Sequence, residues 1–400
     1  MTSPTPSRIR YATPDIARGI ALLGIALANI STAWILTTDA SYAEHFGGVY
    51  GQGSVLENLA VVFSAMFVHV RGLPMFTTLL GFGVGLITMS LWRRNYPLPR
   101  ARTVLLRRYG LLAVFGLVHL VLLFFGDIMV SYGLGAMVLA TMISLKDRTL
   151  MIIAWVLIGI QIAFTTAGAV VMALVPDLMA FGLGDIADNS SYLGYLRTNL
   201  VVGGSQLMAL PVTVGMLLPL MIIGFVWARR GVLADLDAHA TLLRRWVAVT
   251  VAVILLVGLP WGLAAVGVLP GNLEAFFSVV NGGVGMLTGP GILAAIALAC
   301  RGIQERIDAG SYRPSVPVRA VTALGRRSMS GYIMQSFLFL VLTQPFTLGW
   351  GIGSGVLTQM GIAFLVWLTT LVLAYVGDLA GWPGPFEWLH RRLAYGRGGL

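Results

Sequence analysis

The sequence predicts an all-α protein, a polytopic transmembrane helical bundle of about ten spans with an additional outer interfacial or re-entrant segment. Of its 400 residues, 57% are hydrophobic and only 10% are charged, whereas soluble proteins average about 25% charged residues. Apolar runs recur along the whole chain, and runs of about 18 residues or more are long enough to cross a bilayer. We therefore predict a cytoplasmic tail over residues 1–15, a single transmembrane domain over 16–376 and a cytoplasmic C-terminal segment over 377–400.

The apolar runs define ten predicted spans. They cover residues 16–36, 73–92, 104–125, 128–145, 149–174, 205–228, 246–268, 283–301, 320–342 and 355–376. With this order, 23 of the 26 Lys and Arg residues fall on one side, in the termini and in alternate loops. Basic loops stay in the cytoplasm, so both termini are predicted to be cytoplasmic. The net charge of +10 thus reflects membrane topology, and no nucleic-acid partner is predicted.

Two segments outside these spans are expected on the outer side. Val55–Val70 is apolar, but a full span there would place the arginine clusters outside, so an interfacial or re-entrant segment is predicted. Residues 176–203 form the longest outer loop, in which Tyr192–Leu200 reads as a short amphipathic helix that could cover a cavity.

Glycines predict close packing and one irregular span. Gly81 and Gly85 form a small-xxx-small pair in the second span, which lets helix backbones approach each other. Gly289-Pro290-Gly291 is expected to break or kink the eighth span. Cys300 is the only cysteine, which excludes an intrachain disulfide. The five histidines lack metal-ligand spacing, so no metal site is predicted.

His119 is the most informative candidate, because it interrupts an otherwise apolar run, and Asp127 follows at the end of that run. Ionisable residues in membrane spans are functional candidates. On an ideal helix the two residues are about 12 Å apart, so they touch only if the chain bends after Gly126. His119 is interpreted either as a general base oriented by Asp127, or as a histidine bonded to a neighbouring helix. In the second interpretation Asp127 only caps the fourth span.

Other polar groups offer binding roles. Asp15 and Arg18 can pair at the start of the first span, either as an anchor of the helix end or as a substrate contact, and Asn29 lies near the outer end of that span. Tyr332 and Gln335 add polar groups at the start of the ninth span, for substrate or for inter-helix hydrogen bonds. Four arginines in basic loops suit phosphate groups; they are Arg102, Arg107, Arg326 and Arg327.

Several of these segments together resemble the YeiB family of bacterial membrane proteins. The resemblance is carried by Asp15-x-x-Arg18-Gly19 with Asn29, by Leu79-Leu80-Gly81-Phe82-Gly83, by His119 with Gly126-Asp127-Ile128, by the Gly325–Tyr332 stretch with Gln335-Ser336, and by Gly384-Pro385-Phe386-Glu387-Trp388-Leu389 with Arg391-Arg392. It implies a multi-pass protein of the bacterial plasma membrane. One motif departs from the family, which usually has Leu-Thr-Asn-Tyr where this chain has Met329-Ser330-Gly331-Tyr332. A contact made by that asparagine is therefore absent.

The opening segment is also similar to that of heparan-α-glucosaminide N-acetyltransferases, multispan enzymes that use acetyl-CoA. Asp15, Arg18 and Asn29 match their first-span spacing. This resemblance implies an asparagine and a histidine at the site of acetyl transfer. Asn29 carries over, but His45 lies further along than the pattern places a histidine, so His119 is assigned that part.

The leading hypothesis is a membrane acyltransferase. An acyl-CoA, such as acetyl-CoA, would bind through the basic-loop arginines, His119 would accept a proton from the acceptor, and Asn29 would steady the oxyanion. The acceptor would be a small molecule, glycan or lipid at the outer face. Membrane lipids are the other expected partners, and a homodimer is one possible oligomeric state. The hypothesis requires His119 to face a pocket that opens toward Asn29. The alternatives are a proton-coupled transporter or lipid-handling protein, and a scaffold without turnover, which predicts no pocket at either polar cluster.

Overall fold

The computed structural model describes residues 12–35, 54–175 and 189–396. These residues form helices and connections without a strand, so the all-α prediction is confirmed. In chain order the helices are α1 (Ala12–Asn29), α2 (Val55–Phe67), α3 (Gly72–Arg93), α4 (Leu98–Leu122), α5 (Met129–Thr141), α6 (Asp147–Leu174), α7 (Tyr192–Met208), α8 (Leu210–Arg230), α9 (Ala240–Val253), α10 (Leu259–Ala265), α11 (Asn272–Val284), α12 (Thr288–Ala299), α13 (Arg301–Asp308), α14 (Val316–Arg326), α15 (Ser328–Thr343), α16 (Val356–Leu379) and α17 (Pro385–Tyr395).

Eight helical segments of the described chain are long and apolar enough to cross a membrane. They are Ala12–Trp34, Val55–Arg93, Leu98–Leu122, Asp147–Leu174, Leu210–Arg230, Ala240–Ala265, Asn272–Ala299 and Val356–Leu379. Two further apolar helices, α5 and α15, are shorter and coincide with the fourth and ninth predicted spans. Each of the ten predicted spans overlaps one of these segments, and the chain is a multi-pass membrane protein.

Two spans differ in detail from the prediction. The predicted ninth span is divided, because Arg327 leaves helical geometry (φ −114°, ψ 32°) between α14 and α15. The eighth span begins at Asn272 rather than at residue 283, and its Gly289-Pro290-Gly291 segment is helical. A tight 3₁₀ turn at Gly285–Leu287 precedes it, so Pro290 lies in the first turn of α12, where proline is tolerated.

The centre of the bundle is the contact between α3 and α8. A Cβ atom at Gly81 would collide with the carbonyl of Met221, and one at Gly224 would collide with the carbonyl of Thr78. Gly85 similarly lies against Ala228. The two backbones therefore approach as closely as the predicted small-residue pair allows, and the surrounding apolar side chains form the largest core cluster.

α2 is a 13-residue helix of about 20 Å, shorter than a hydrocarbon layer of about 30 Å. α5 has the same length, so the interfacial or re-entrant placement of α2 stays a prediction. The bend that follows puts Val70 in the left-handed region (φ 56°), which is unusual for a β-branched residue. Beside it the buried guanidinium of Arg71 donates to the carbonyls of Met66 and Val70 and to Oδ1 of Asn281 in α11. The hydrogen bond to Asn281 thereby connects this bend to α11.

α7 covers the end of α4. The side chains of Asn199, Tyr192 and Tyr195 donate to the consecutive carbonyls of residues 121, 122 and 123, at 3.1, 3.0 and 2.8 Å. These carbonyls have no partners within an ending helix, so α7 stabilises the end of α4 at Leu122. α7 is longer than the predicted helix over Tyr192–Leu200, and the loop before it lies outside the described residues.

Candidate functional site

His119 joins two distant parts of the chain in a buried hydrogen-bonded triad. Its Nδ1 lies 2.8 Å from Oδ2 of Asp127, and its Nε2 lies 2.8 Å from Oγ of Ser336 in α15. We call these three residues the His119 triad. An ionised carboxylate can only accept a hydrogen bond, so in the neutral form of His119 Nδ1 carries the proton toward Asp127 and Nε2 is the acceptor that faces the Ser336 hydroxyl. The 12 Å expected on one helix is removed because α4 ends at Leu122 and the chain turns back before α5.

Asp127 both caps a helix and contacts His119. Its Oδ1 accepts the N–H of Val130 at 2.9 Å, which caps the start of α5. Its Oδ2 accepts from His119. Because one carboxylate holds both the helix start and the imidazole, the ring orientation of His119 is set by the same residue that fixes the turn.

A cavity of about 550 Å³ lies beside the triad, and we call it the basic cavity. Its charged and polar lining residues are Asp15, Arg18, Arg108, Tyr109, Tyr132, Arg326, Ser328, Tyr332, Glu387, His390 and Arg391. Its other walls are apolar and include Leu80, Leu86 and Leu112. The ring of Tyr332 lies 5.0 Å, centroid to centroid, from that of His119. The cavity therefore ends one side chain away from the imidazole.

A smaller cavity of about 230 Å³ lies at Asp127, and we call it the small cavity. Asp127, Ser131, Gln206 and Thr213 are its polar lining residues. Ile128 lines both this cavity and the basic cavity. The turn between α4 and α5 thus separates two spaces, with the His119 triad next to each.

The C-terminal helix α17 forms a wall of the basic cavity and is held by Glu387. This carboxylate accepts the N–H groups of Met329 and Ser330 at 2.7 and 3.0 Å and the hydroxyl of Ser330. It therefore caps the start of α15 at the break in the ninth span. In the same helix His390 Nε2 donates to the carbonyl of Arg108 at 2.8 Å. Burial, with the nearby charge of Arg108 as the smaller cause, lowers the pKa of His390 to about 4.

Comparisons with known proteins find similar sequences whose descriptions name no activity. Residues 227–397 match the family described as "Protein of unknown function (DUF418)". The chain is 23% identical to "Uncharacterized protein YxaH" of Bacillus subtilis (strain 168) over 98% of this chain and 96% of that protein. It is 32% identical to "Uncharacterized protein YeiB" of Escherichia coli (strain K12) over 125 residues, which are 31% of this chain and 29% of that protein. No solved structure gives a significant match.

The resemblance to the YeiB family is confirmed. The relation to membrane acyltransferases stays a prediction. The DUF418 match contains Ser336 of the His119 triad and Glu387, whereas His119 and Asp127 lie in the N-terminal half, before that match begins.

Four of the predicted binding residues line the basic cavity. Asp15 and Arg18 form an ion pair at 3.3 Å on its wall, and Tyr332 and Arg326 line it as well. Arg326 also pairs with Asp378 of α16 at 2.6 Å. The sequence therefore predicted residues from the first and ninth spans that the fold brings to one cavity.

The other predicted arginines do not line this cavity. Arg102 donates to the carbonyl of Thr141 and to Ser144, and Arg107 donates to the carbonyl of Leu393. Arg327 donates to the carbonyls of residues 323 and 382. Two arginines that were not predicted, Arg108 and Arg391, line it instead. A phosphate-binding role of Arg102, Arg107 and Arg327 stays a prediction.

The expected opening between His119 and Asn29 is not found among the described residues. His119 is 3% exposed, and neither residue lines the basic cavity or the small cavity. The Asn29 side chain makes no hydrogen bond to another described residue. Gln335 is buried, and its Nε2 has no hydrogen-bond partner within the described part. His45 lies outside the described residues.

Sequence reasoning missed the most informative partner, Ser336. It stood in a polar stretch of the ninth span, with no sign that it would meet a histidine 217 residues earlier. Glu387 was quoted only as part of a family motif, and its role as a helix cap follows from a fold in which α17 returns to the start of α15.

Proposed function

We propose that this protein is a membrane-embedded acyltransferase, which moves an acyl group from an acyl-CoA such as acetyl-CoA to a hydroxyl or amine acceptor. One observation carries the proposal. The imidazole of His119 is held between a carboxylate and a hydroxyl, at 2.8 Å from each, one side chain away from a cavity with a cationic lining. A base oriented by a carboxylate is what proton removal from an acceptor requires.

The basic cavity suits the donor. Arg18, Arg108, Arg326 and Arg391 line it, against the two carboxylates Asp15 and Glu387. This excess of guanidinium groups favours phosphates, which arginine binds in a bidentate geometry. The apolar walls suit the uncharged arm of a coenzyme A thioester. On this proposal the thioester points toward Tyr332.

The acyl group must pass Tyr332 to reach the triad, since this ring lies between the basic cavity and His119. Rotation of Tyr332 would bring the thioester carbonyl to Nε2 of His119. As His119 takes the acceptor proton, the carboxylate of Asp127 stabilises the imidazolium that forms. The role of Asn29 as an oxyanion donor rests on the family resemblance alone.

For the topology we propose the bacterial plasma membrane with both termini in the cytoplasm, because the basic loops are cytoplasmic in that orientation. The basic cavity, at the start of α1, the α14–α15 break and α17, would then open to cytoplasmic acyl-CoA. The small cavity, beside α7 and the start of α8, would open to the outer side and admit a glycan, lipid or small-molecule acceptor. The proposal also includes contact with membrane lipids and assembly of the protein as a homodimer.

The test is transfer of label from [1-¹⁴C]acetyl-CoA by the purified full-length protein in lipid nanodiscs, with bacterial lipid and glycan extracts as acceptors. We expect protein-dependent label in an acceptor fraction, reduced by about 100-fold or more in His119→Gln. His239→Gln is the matched control, because His239 is half-buried, lines neither cavity, and its Nδ1 is hydrogen-bonded to the carbonyl of Asp235. Undiminished transfer by His119→Gln would remove this residue from the mechanism.

A proton-coupled transporter or lipid-handling protein is the second candidate. It is favoured by the two cavities that meet at Ile128, with a buried His–Asp pair beside both. Proton-coupled uptake into liposomes without label transfer from acetyl-CoA would support it. A scaffold without turnover is disfavoured, since it predicts no pocket at either polar cluster, whereas Tyr332 lines the basic cavity and Asp127 lines the small cavity.

A further inference from the structure

We propose that Ser336 carries the acyl group as a covalent ester between the donor and acceptor half-reactions. The inference rests on the proposed acyltransferase function and deepens it. The atoms Asp127 Oδ2, His119 Nδ1, His119 Nε2 and Ser336 Oγ follow one another with both hydrogen bonds at 2.8 Å. Carboxylate, imidazole and hydroxyl in this order activate a serine nucleophile, and the arrangement is recognised by geometry rather than by order in the chain.

The proton of Ser336 is directed at the imidazole. Its alternative acceptor is the carbonyl of Tyr332, one turn earlier in α15, at 3.3 Å, whereas Nε2 of His119 is at 2.8 Å. The shorter contact is the stronger hydrogen bond. Serines in helices can donate to such a carbonyl, so the shorter imidazole contact distinguishes this hydroxyl.

Other hydroxyls of α15 lack this partner. Ser330 is held by Glu387 at the helix start. Thr343, equally buried, donates to the carbonyl of Phe339 in its own helix at 2.8 Å. Of these α15 hydroxyls, it is therefore Ser336 that has an imidazole nitrogen as its hydrogen-bond partner, as a nucleophilic serine requires.

Ser336 also lies on the path from the donor. Tyr332 and Ser336 are four residues apart in α15, so they lie on one face of the helix. Tyr332 lines the basic cavity. An acyl group that passes the Tyr332 ring meets the Ser336 hydroxyl one turn further along the same face, before it reaches the small cavity at Asp127.

The two half-reactions balance. In the first, Oγ of Ser336 attacks the thioester carbonyl, the C–O bond forms, the C–S bond breaks, and the hydroxyl proton passes through Nε2 of His119 to the thiolate, which leaves as free coenzyme A. In the second, the acceptor hydroxyl or amine attacks the ester, the C–O bond to Ser336 breaks, and the acceptor proton passes through the same Nε2 to Oγ. No other reactant is needed.

The experiment does not require the acceptor. The purified full-length protein in nanodiscs is given acetyl-CoA and radiolabelled free coenzyme A, and the exchange of label into acetyl-CoA is measured. A parallel sample with [1-¹⁴C]acetyl-CoA is quenched in acid and digested, and the acylated peptide is identified by mass spectrometry. Binding of acetyl-CoA is measured separately by equilibrium dialysis for every variant.

We expect exchange and a labelled peptide that contains Ser336. Ser336→Ala should lower exchange by about 100-fold or more while it still binds acetyl-CoA. Thr343→Val, which removes an equally buried hydroxyl of the same helix, should leave exchange unchanged. Ser336→Cys should retain a label that neutral hydroxylamine releases, as a thioester, and this variant keeps the proposal testable if the alanine variant does not fold.

The failures are distinguishable. If the wild type binds acetyl-CoA but neither exchanges nor becomes labelled, or if Ser336→Ala exchanges normally, the serine ester is refuted and direct transfer through His119 stands. Label on another residue refutes it equally. If the wild type does not bind acetyl-CoA at all, the proposed acyltransferase function fails and the serine ester fails with it.

Discussion

Replacement of Asp127 by asparagine tests the centre of the site without knowledge of any substrate. The carboxylate accepts two hydrogen bonds, from the N–H of Val130 at 2.9 Å and from Nδ1 of His119 at 2.8 Å. An amide has only one acceptor oxygen, so one of the two buried donors loses its partner. The backbone N–H of Val130 cannot move its proton, but the imidazole can. We therefore expect the amide oxygen to keep the helix cap and the proton of His119 to move to Nε2.

The magnitude follows from these two hydrogen bonds. A hydrogen bond to a charged group contributes about 1.5–3 kcal/mol, and an unsatisfied buried donor costs about 1–3 kcal/mol. Transfer of the proton to Nε2 relieves part of this, so we expect Asp127→Asn to destabilise the protein by about 1–2 kcal/mol. With Nε2 protonated, His119 no longer accepts from Ser336, and acyl transfer should fall by about two to four orders of magnitude.

The assay is ¹⁵N NMR of protein labelled only at histidine, which distinguishes Nδ1–H from Nε2–H, with His119→Gln to assign the signal. Thermal melting gives the change in stability. Asp235→Asn is the matched control, because its Oδ1 caps the N–H of Ala238 at 3.0 Å on an exposed turn and its carboxylate contacts no imidazole. A His119 signal that keeps the Nδ1 proton in Asp127→Asn, with unchanged melting, would refute the reasoning.

Three further predictions concern the surroundings of the site. Glu387→Ala leaves two backbone donors of α15 unsatisfied, so we expect a loss of about 1–3 kcal/mol and faster proteolysis of α17 than in the wild type. The pKa of His390 is lowered from 6.5 to about 4, so its contribution of about 3 kcal/mol is complete above pH 6.5 and is lost as the pH falls toward 4. In His390→Leu the melting temperature should therefore fall less steeply than in the wild type between pH 6.5 and 4. An equally steep fall in both proteins would contradict the lowered pKa of His390. Gly81→Ala should prevent folding because its Cβ meets the carbonyl of Met221, whereas Gly159→Ala, with open space around the new Cβ, should fold normally in a detergent gel-filtration assay.

The spans were predictable because hydropathy and loop charge are local properties of the sequence. The break at Arg327 was not predicted, although Arg326, Arg327 and Ser328 interrupt the apolar run there. The capping carboxylate of Glu387 comes from a helix 58 residues after Met329, so local sequence does not show it. The helical Gly289–Gly291 segment was likewise missed. Its glycines suggest a break. In the structure they allow close packing of α12 on α9, because a Cβ at Gly291 would collide with Thr250.

Part of the site was also predictable from local sequence, and part depended on contacts between distant elements. His119 and Asp127 could be named because charge in an apolar run is conspicuous, but their contact depends on where α4 ends, which the side chains of α7 stabilise. Of the arginines in α4, Arg102 was expected at the donor and Arg108 was not. Six residues on a helix correspond to about 240° of rotation, so the two face different neighbours, and loop charge alone does not show which one faces inward.

The link between Arg71 and Asn281 has a consequence for biogenesis. Its two residues are 210 positions apart, and the ribosome delivers them in that order. When the guanidinium first reaches the bilayer, the amide that will receive it has not been translated. The guanidinium has two local acceptors from the start, the carbonyls of Met66 and Val70, and gains the third, Asn281, only after α11 has been made. The bend between α2 and α3 therefore reaches its full set of hydrogen bonds late in synthesis, after residue 281 has been translated.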